Sequence, residues 1–452
     1  MRQRGLALLL LLWLVALGAA VLLWQQIPSW SPLQQRQQTG DAALALAKQA
    51  LIAYAVTYGD FHSDRLPGYL PCPDLGPRGI NVHEGSPDPP CGGKDVSALG
   101  RLPWHELGLE ALRDGAGECL WYAVSGSFKN SPAADMLNWD SLGQLAIMAP
   151  DGASFAVGAQ PEERAAAVIF APGPALAGQD RSTAATAPWC GGNYVASNYL
   201  DAYRQRSNAA LAAAPGAPSL LTSAGPGNGV NDGLLAITPR EIFAAVRQRH
   251  NFQAQILEHL RRLSLCVAAY GGRNKAGPGD LRLPWAASLS PQNPNSDAAY
   301  GDEVGRTIGH LPYSVAASKA ATANLMQRAT LIDAGSCPPP WSKLDELWYQ
   351  NWKDHLFYAV AGAYAPNAAA PGLCNPCLSV NGAGRYAAIL IFAGPAIGTQ
   401  RRSLERDKAA IGNYLEDANA AGGSDYRSAA ATEDFNDLLY CVDTVLRVAP
   451  CA

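Results

Sequence analysis

The chain has 452 residues, more than one ordinary domain holds, and its 48% apolar content is enough to build real cores, which excludes disorder for the bulk of it. Charged residues make up 16%, below the usual ~25%, and the net charge is −4 with no sustained basic run after the N-terminus, which argues against a nucleic-acid partner. Forty-four Gly and 33 Pro beside Ala-rich stretches predict helices joined by long loops.

Arg2-Gln3-Arg4-Gly5 opens the chain, and residues 6–24 then carry no charge. As a helix rising ~1.5 Å per residue, that run covers a bilayer core of ~30 Å. Arg2 and Arg4 keep the N-terminus cytoplasmic, so the expectation is a single pass of the inner membrane with the bulk of the chain periplasmic or at the cell surface. A cleaved secretory signal is the rival reading, with Gly18 and Ala20 as its small-residue site, but the apolar run continues through Val21-Leu22-Leu23-Trp24. Residues 25–40, interrupted by Pro28 and Pro32, read as a linker. From Asp41 a helix is predicted, with Leu44, Leu51, Tyr54 and Tyr58 on one face and Gly59 as a left-handed C-cap.

A short basic leader ending in Gly and running straight into an apolar helix resembles a type IV prepilin leader. Gln3-Arg4-Gly5-Leu6-Ala7-Leu8-Leu9 is similar to the opening of the large tip pseudopilin of type II secretion. The resemblance implies a leader over 1–5, cleaved by a prepilin peptidase between Gly5 and Leu6 and methylated at Leu6, with other pilin-like subunits as partners. Where pilins usually carry Glu as the fifth mature residue this chain has Leu10, a departure that tip subunits share. Further on, Leu70-Pro71-Cys72-Pro73-Asp74, Gly100-Arg101-Leu102-Pro103-Trp104 and Leu120-Trp121-Tyr122-Ala123-Val124 follow in an order similar to that of large bacterial prepilin-like proteins. Those relatives often have alternating Asp after the first motif. Here Leu75-Gly76-Pro77-Arg78 replaces it, so no calcium is expected in that loop.

The second half repeats the first. Leu120-Trp121-Tyr122-Ala123-Val124 matches Leu356-Phe357-Tyr358-Ala359-Val360, and Ile169-Phe170-Ala171 matches Ile391-Phe392-Ala393, each followed by Gly-Pro-Ala and a Gln-x-Arg-Ser. Gly100-Arg101-Leu102-Pro103 matches Gly309-His310-Leu311-Pro312, and Asn198-Tyr199-Leu200 matches Asn413-Tyr414-Leu415. A helix ending Tyr58-Gly59 has its counterpart ending Tyr270-Gly271. The offset grows from 209 (Gly100 to Gly309) to 236 (Leu120 to Leu356), an insertion of 27 residues carrying Cys337, Trp341, Trp348 and Trp352. Those aromatics either cover the core or meet a sugar or another subunit. Thr238-Pro239-Arg240-Glu241 is a capping-box start, and from there to Tyr270 nothing in the pattern breaks a helix.

Strands are expected at 120–128, 166–170 and 234–238, and again at 356–364, 387–392 and 441–448. The fold class is therefore α+β: an N-terminal transmembrane helix, then two duplicated pilin-like units over 41–235 and 254–452, joined by a helical connection at 236–253. Each unit should be a long helix packed on a small antiparallel sheet.

Ten cysteines, all beyond residue 24, read as disulfides formed in an oxidising compartment. Cys72 with Cys91, closing a short loop, is the preferred pair, and Cys266 with Cys441 a second candidate. Cys374 and Cys377 have CxxC spacing without the second ligand pair that zinc needs, and they precede a strand rather than open a helix, so a structural disulfide is preferred to a redox pair. Asp60, His62, Asp64, His83 and Glu84 either supply metal ligands or form a solvated turn, the simpler reading. Ser125 and Ser127 lack a nucleophile-elbow pattern, and no phosphate loop, dinucleotide fingerprint or HExxH occurs. No catalytic residue, cofactor or metal is assigned. The expected function is a structural pilin-like subunit, minor or tip type, of a type IV pilus or type II secretion-like filament, and not an enzyme. The alternative is a membrane-anchored periplasmic binding or adhesion protein outside any filament.

Overall fold

The computed structural model describes residues 32–76, 83–182, 188–225, 229–273, 281–321, 329–369 and 372–451, together with Trp13 and Leu17, which are helical and exposed. The predicted leader and the rest of the predicted membrane segment lie outside the described residues.

The first half runs α1 (Pro32–Phe61), β1 (Ala98–Arg101), β2 (Trp121–Val124), β3 (Leu145–Met148), β4 (Phe155–Val157), β5 (Ala167–Ala171), β6 (Ala202–Tyr203), β7 (Arg206–Ser207), β8 (Ser219–Thr222) and β9 (Gly233–Ile237). Helices α2 (Pro239–Arg247) and α3 (Phe252–Arg273) lead into the second half. There follow β10 (Ile308–His310), α4 (Ala316–Ala321), α5 (Lys343–Trp352), β11 (Leu356–Val360), β12 (Leu378–Val380), β13 (Ala383–Phe392), α6 (Glu405–Lys408), α7 (Asp417–Ala421), β14 (Asp425–Tyr426), β15 (Leu438–Asp443) and β16 (Val448–Pro450). The protein is α+β, a long N-terminal helix followed by mainly antiparallel sheets.

Strands β1-β2-β5-β9 form one sheet in that order, every pair antiparallel. Strands β10-β11-β13-β15 form a second with the same sequential antiparallel order, widened by β12, β14 and β16. In each, the Tyr-Ala-Val strand pairs with the Ile-Phe-Ala strand: Tyr122 lies opposite Ile169, and Tyr358 opposite Leu390. The period-2 alternation of a strand explains the layering of the first sheet. Tyr122, Val124, Ala167 and Ile169 face α1, whereas Trp121, Ala123, Val168 and Phe170 face a second small core closed by Leu145, Ile147, Tyr199, Leu200 and Leu221. Helix α1 packs on β5 and β9, and α3 on β13, β15 and β16.

Helix α1 begins at Pro32, not at Asp41, because proline is tolerated in a first helical turn; 32–40 is therefore helix and not linker. By length and composition 34–61 could cross a membrane, yet Leu44, Ala47, Leu51, Ala55 and Tyr58 are buried against the sheet, as in the core helix of a water-soluble domain. Gly59 lies inside α1 rather than capping it. A Cβ there would sit 3.0 Å from the Arg65 carbonyl oxygen, so the residue serves close backbone approach. The expected continuous helix from Thr238 to Tyr270 is broken at 248–251, where Arg249 turns back to donate to the Val56 carbonyl at 2.7 Å and to pair with Asp60 at 2.8 Å. The terminal strand is β15 with β16 rather than one strand over 441–448, because the chain reverses at 444–447.

Candidate functional site at the junction of the two halves

The segment before β11 carries a ten-residue helix, α5, with Ser342 as its N-cap. Ser342 accepts from the Asp345 backbone N–H while the Asp345 carboxylate reaches back to Ser342, which starts α5. Trp348, Tyr349 and Trp352 on α5 are buried, so these aromatics build core. The turn after α5 delivers Asp354 and His355 to the base of β11, where the loop Leu137-Asn138-Trp139-Asp140 of the first half meets them.

The contacts are specific. Leu137 N–H donates to Asn351 Oδ1 at 2.8 Å, and Asn138 Nδ2 donates to Asn351 O at 2.8 Å and Asp354 Oδ1 at 2.9 Å. Trp139 lies edge-on to Trp352, ring centroids 4.4 Å apart, and its indole Nε1–H donates to His355 Nε2 at 2.6 Å. His355 Nδ1 is 2.8 Å from Asp354 Oδ1, and Nε2 is 3.0 Å from Asp140 Oδ2. Arg402 Nη1 lies 3.3 Å from Asp140 Oδ2. Burial opposes a charge on His355, but Asp354 and then Asp140 outweigh it and raise its pKa above the ordinary imidazole value. Burial likewise opposes the two carboxylates, and His355 pulls both below the usual range. Three groups thus meet at Nε2: the neutral ring accepts from Trp139, with Arg402 Nη1 also 3.4 Å away, and the protonated ring donates to Asp140. Although Asp140, Asp354 and His355 are metal-ligand types lying together, each carboxylate faces its own ring nitrogen and Arg402 already neutralises Asp140. The geometry is that of an ionic clamp, not a chelate.

A second constellation occurs once in each half. Asp201 accepts from Gln179 Nε2 and the Asn231 N–H, while Asp232 Oδ2 accepts from the Asp201 N–H and Asn208 Nδ2. In the other half Glu416 accepts from Gln400 Nε2 and the Asn436 N–H, while Asp437 Oδ2 accepts from the Glu416 N–H and Asn419 Nδ2. Arg181 stacks over Tyr199 at 4.9 Å, and Arg402 over Tyr414 at 4.5 Å. Burial and then Asp201 push Asp232 up to about 7; burial and then Glu416 push Asp437 well up. Each pair therefore holds a proton that isolated carboxyls would release. The remaining oxygens, Asp232 Oδ1 and Asp437 Oδ1, are buried without a donor among the described residues.

No protein-family model, curated protein or solved structure matches this chain, so its own residues carry any assignment of function. Beside the clamp, a groove of about 1090 Å³ separates the halves, lined among others by Trp139, Thr238, Arg240, Arg247 and Arg401.

Gly5 and Leu6 lie outside the described residues. Cys72 and Cys91 are bonded, but Cys266 is not paired with Cys441. On α3, Cys266 faces the loop before α5 and bonds Cys337. Cys441 on β15 pairs across the hairpin with Ala449, which brings Cys451 within reach. Cys119–Cys190 and Cys374–Cys377 complete five disulfides, which place the folded chain in an oxidising, extracytoplasmic setting. Four of the candidate metal ligands go to separate partners: Asp60 to Arg249, His62 onto the Tyr58 ring, Asp64 to Arg65, and Glu84 to Arg101. Ser125 Oγ donates to Ala165 O and Ser127 Oγ to Leu142 O, which makes both packing residues. Sequence reasoning misses Asp140 and His355, which match nothing in the repeat. The Gln-x-Arg-Ser repeat does point at Arg181 and Arg402.

Proposed function

We propose that the chain is a membrane-anchored, exported structural subunit of the pilin-like class, built from two copies of one ancestral unit and acting as a minor or tip component of a filament. The observation that carries this reading is the pairing of a prepilin-like N-terminus with two halves that each lay one long helix across a sequentially ordered antiparallel sheet. The duplication draws support from matched detail. Tyr122 OH donates to Pro71 O at 3.2 Å and Tyr358 OH to Pro284 O at 3.1 Å, and a Cβ on Gly100 or Gly309 would meet the carbonyl of Asp74 or Ala287. A structural rather than catalytic role agrees with where the polar groups go: the buried ones hold loops and the junction together.

The test is mass spectrometry of the mature N-terminus, together with quantification in sheared filaments. Cleavage after Gly5, a methylated Leu6 and an abundance far below the shaft protein are expected. A retained Met1 and absence from filaments would instead support an anchored binding or adhesion protein, a reading that the arginine-lined groove between the halves favours.

A further inference from the structure

Cysteines 374 and 377 close a loop at the entry to β12, and this disulfide differs from the other four in two respects, its loop length and a guanidinium beside it. Its sequence separation is 3, against 71 for Cys119–Cys190 and Cys266–Cys337, 19 for Cys72–Cys91 and 10 for Cys441–Cys451. In the chain-entropy description, a loop that short constrains the unfolded chain far less than a 71-residue loop does, so opening it costs the fold little. Accessibility is lopsided, as it is for Cys441–Cys451: Cys374 is buried, Cys377 is half-exposed, and the neighbouring Leu373 is 81% exposed. Finally, the Arg385 guanidinium lies against the exposed sulfur. Its Nε is 3.4 Å from Cys377 Sγ, and its Nη2 donates at 2.9 Å to Cys374 O, the carbonyl that otherwise faces that sulfur at 3.4 Å. By contrast, Cys72 and Cys91 are fully buried, with both sulfurs against the Ser131 carbonyl oxygen.

We propose that Cys374–Cys377 is a thiol–disulfide exchange site that takes electrons from a partner dithiol protein at Cys377, while the four other disulfides stay intact. A thiolate of the partner attacks Cys377 Sγ, the intramolecular S–S bond breaks, and Cys374 leaves as a thiolate that takes a proton from water. The partner's second thiolate then attacks the mixed disulfide and releases Cys377, which is protonated in turn. The chain gains two electrons and two protons, and the partner dithiol becomes a disulfide. Arg385 attracts the incoming thiolate and stabilises the negative charge spread over three sulfurs in the transition state. Leu373 offers an apolar foothold beside the attacked atom.

The experiment uses the full oxidised chain, graded dithiothreitol, a quench with an alkylating agent and peptide mapping. Cys374 and Cys377 are expected to be alkylated first, at dithiothreitol concentrations that leave Cys119 and Cys190 bonded, because Cys377 is half-exposed beside Arg385. Arg385→Gln should slow their reduction about tenfold and reduce its salt dependence, whereas Arg385→Lys keeps much of the rate. The order of reduction in the unaltered protein is readable whether or not a variant folds. Reduction of Cys441–Cys451 first, reduction of all five together, or an unchanged rate in Arg385→Gln would each overturn the proposal.

Discussion

Asp232 shows how one buried atom sets a pH dependence. Its Oδ2 accepts two hydrogen bonds, its Oδ1 has no donor among the described residues, and its pKa is pushed up to about 7 by burial and by Asp201. The folded protein therefore keeps a proton that the unfolded chain releases near pH ~4. The stability this group contributes is fully present below pH ~4 and is lost as pH rises through ~7, the reverse of the usual Asp behaviour. Asp232→Asn keeps the shape and removes the ionisation. It is expected to raise stability at pH 8 by roughly 1–3 kcal/mol and to flatten the slope between pH 4 and 7, as measured by urea denaturation at several pH values. An unchanged slope would mean that Asp232 titrates normally. The same substitution at Asp437 should act in the same direction, because its carboxyl sits in the matching set of donors.

Among elements, the sheets depend on two glycines that bring a loop against a strand. A Cβ on Gly100 would stand 2.4 Å from Asp74 O, and one on Gly309 would stand 2.1 Å from Ala287 O, both backbone atoms that cannot swing aside. Gly309→Ala should therefore cost about 1–3 kcal/mol, whereas Gly362→Ala, with open space around its Cβ, should be near neutral; paired thermal melts check the contrast. Both strand glycines are visible in the sequence as part of a repeated Gly-x-Leu-Pro. The two Tyr-Ala-Val strands are also visible, because buried strands read as continuous apolar runs with turn residues around them. Gly59 shows where local reading stops: Tyr-Gly at the end of an apolar stripe has the pattern of a C-cap, but the loop at 65–67 packs across that helix and takes the place a side chain would need. Likewise, nothing local marks the break at 248–251. It comes from Arg249 reaching α1, a contact made across 193 residues. A Cys266–Cys441 pairing rests on two predicted neighbours, helix and terminal strand, while Cys337, which actually bonds Cys266, lies in a loop that no local pattern places against the helix.

At the scale of the whole molecule, two kinds of contact couple the halves. The apolar part is shared: Trp139 of the first half packs against Trp352, Phe392 and Phe252. The ionic part is the clamp of Asp140, His355, Asp354 and Arg402. Removing the imidazole leaves Asp354 buried with the Asn138 amide but without its cationic partner, so His355→Ala should cost about 3–5 kcal/mol, and adding Asp354→Asn should recover part of that loss in urea melts.

The coupling between Asp140 and His355 has its own pH window, with a sign fixed by the shifts. His355 is raised, so its contribution is fully present below pH ~6.5 and disappears as pH rises through its folded value. Asp140 and Asp354 are lowered, so theirs is present above pH ~4 and disappears as pH falls further. The clamp is therefore at full strength between pH ~4 and ~6.5 and weakens as pH rises through the raised His355 value. At higher pH, Nε2 reverts to accepting from Trp139, and the Asp140 bond is lost while the indole contact persists. A double-mutant cycle of Asp140→Asn and His355→Gln should give a coupling of about 1–3 kcal/mol at pH 6 that falls towards zero at pH 9. Because His355 is buried and Asp140 is largely covered, raising the salt concentration should change the value at pH 6 only slightly. A coupling near zero at both pH 6 and pH 9 would show that His355 is neutral throughout, and that the indole bond alone joins this ring to the first half.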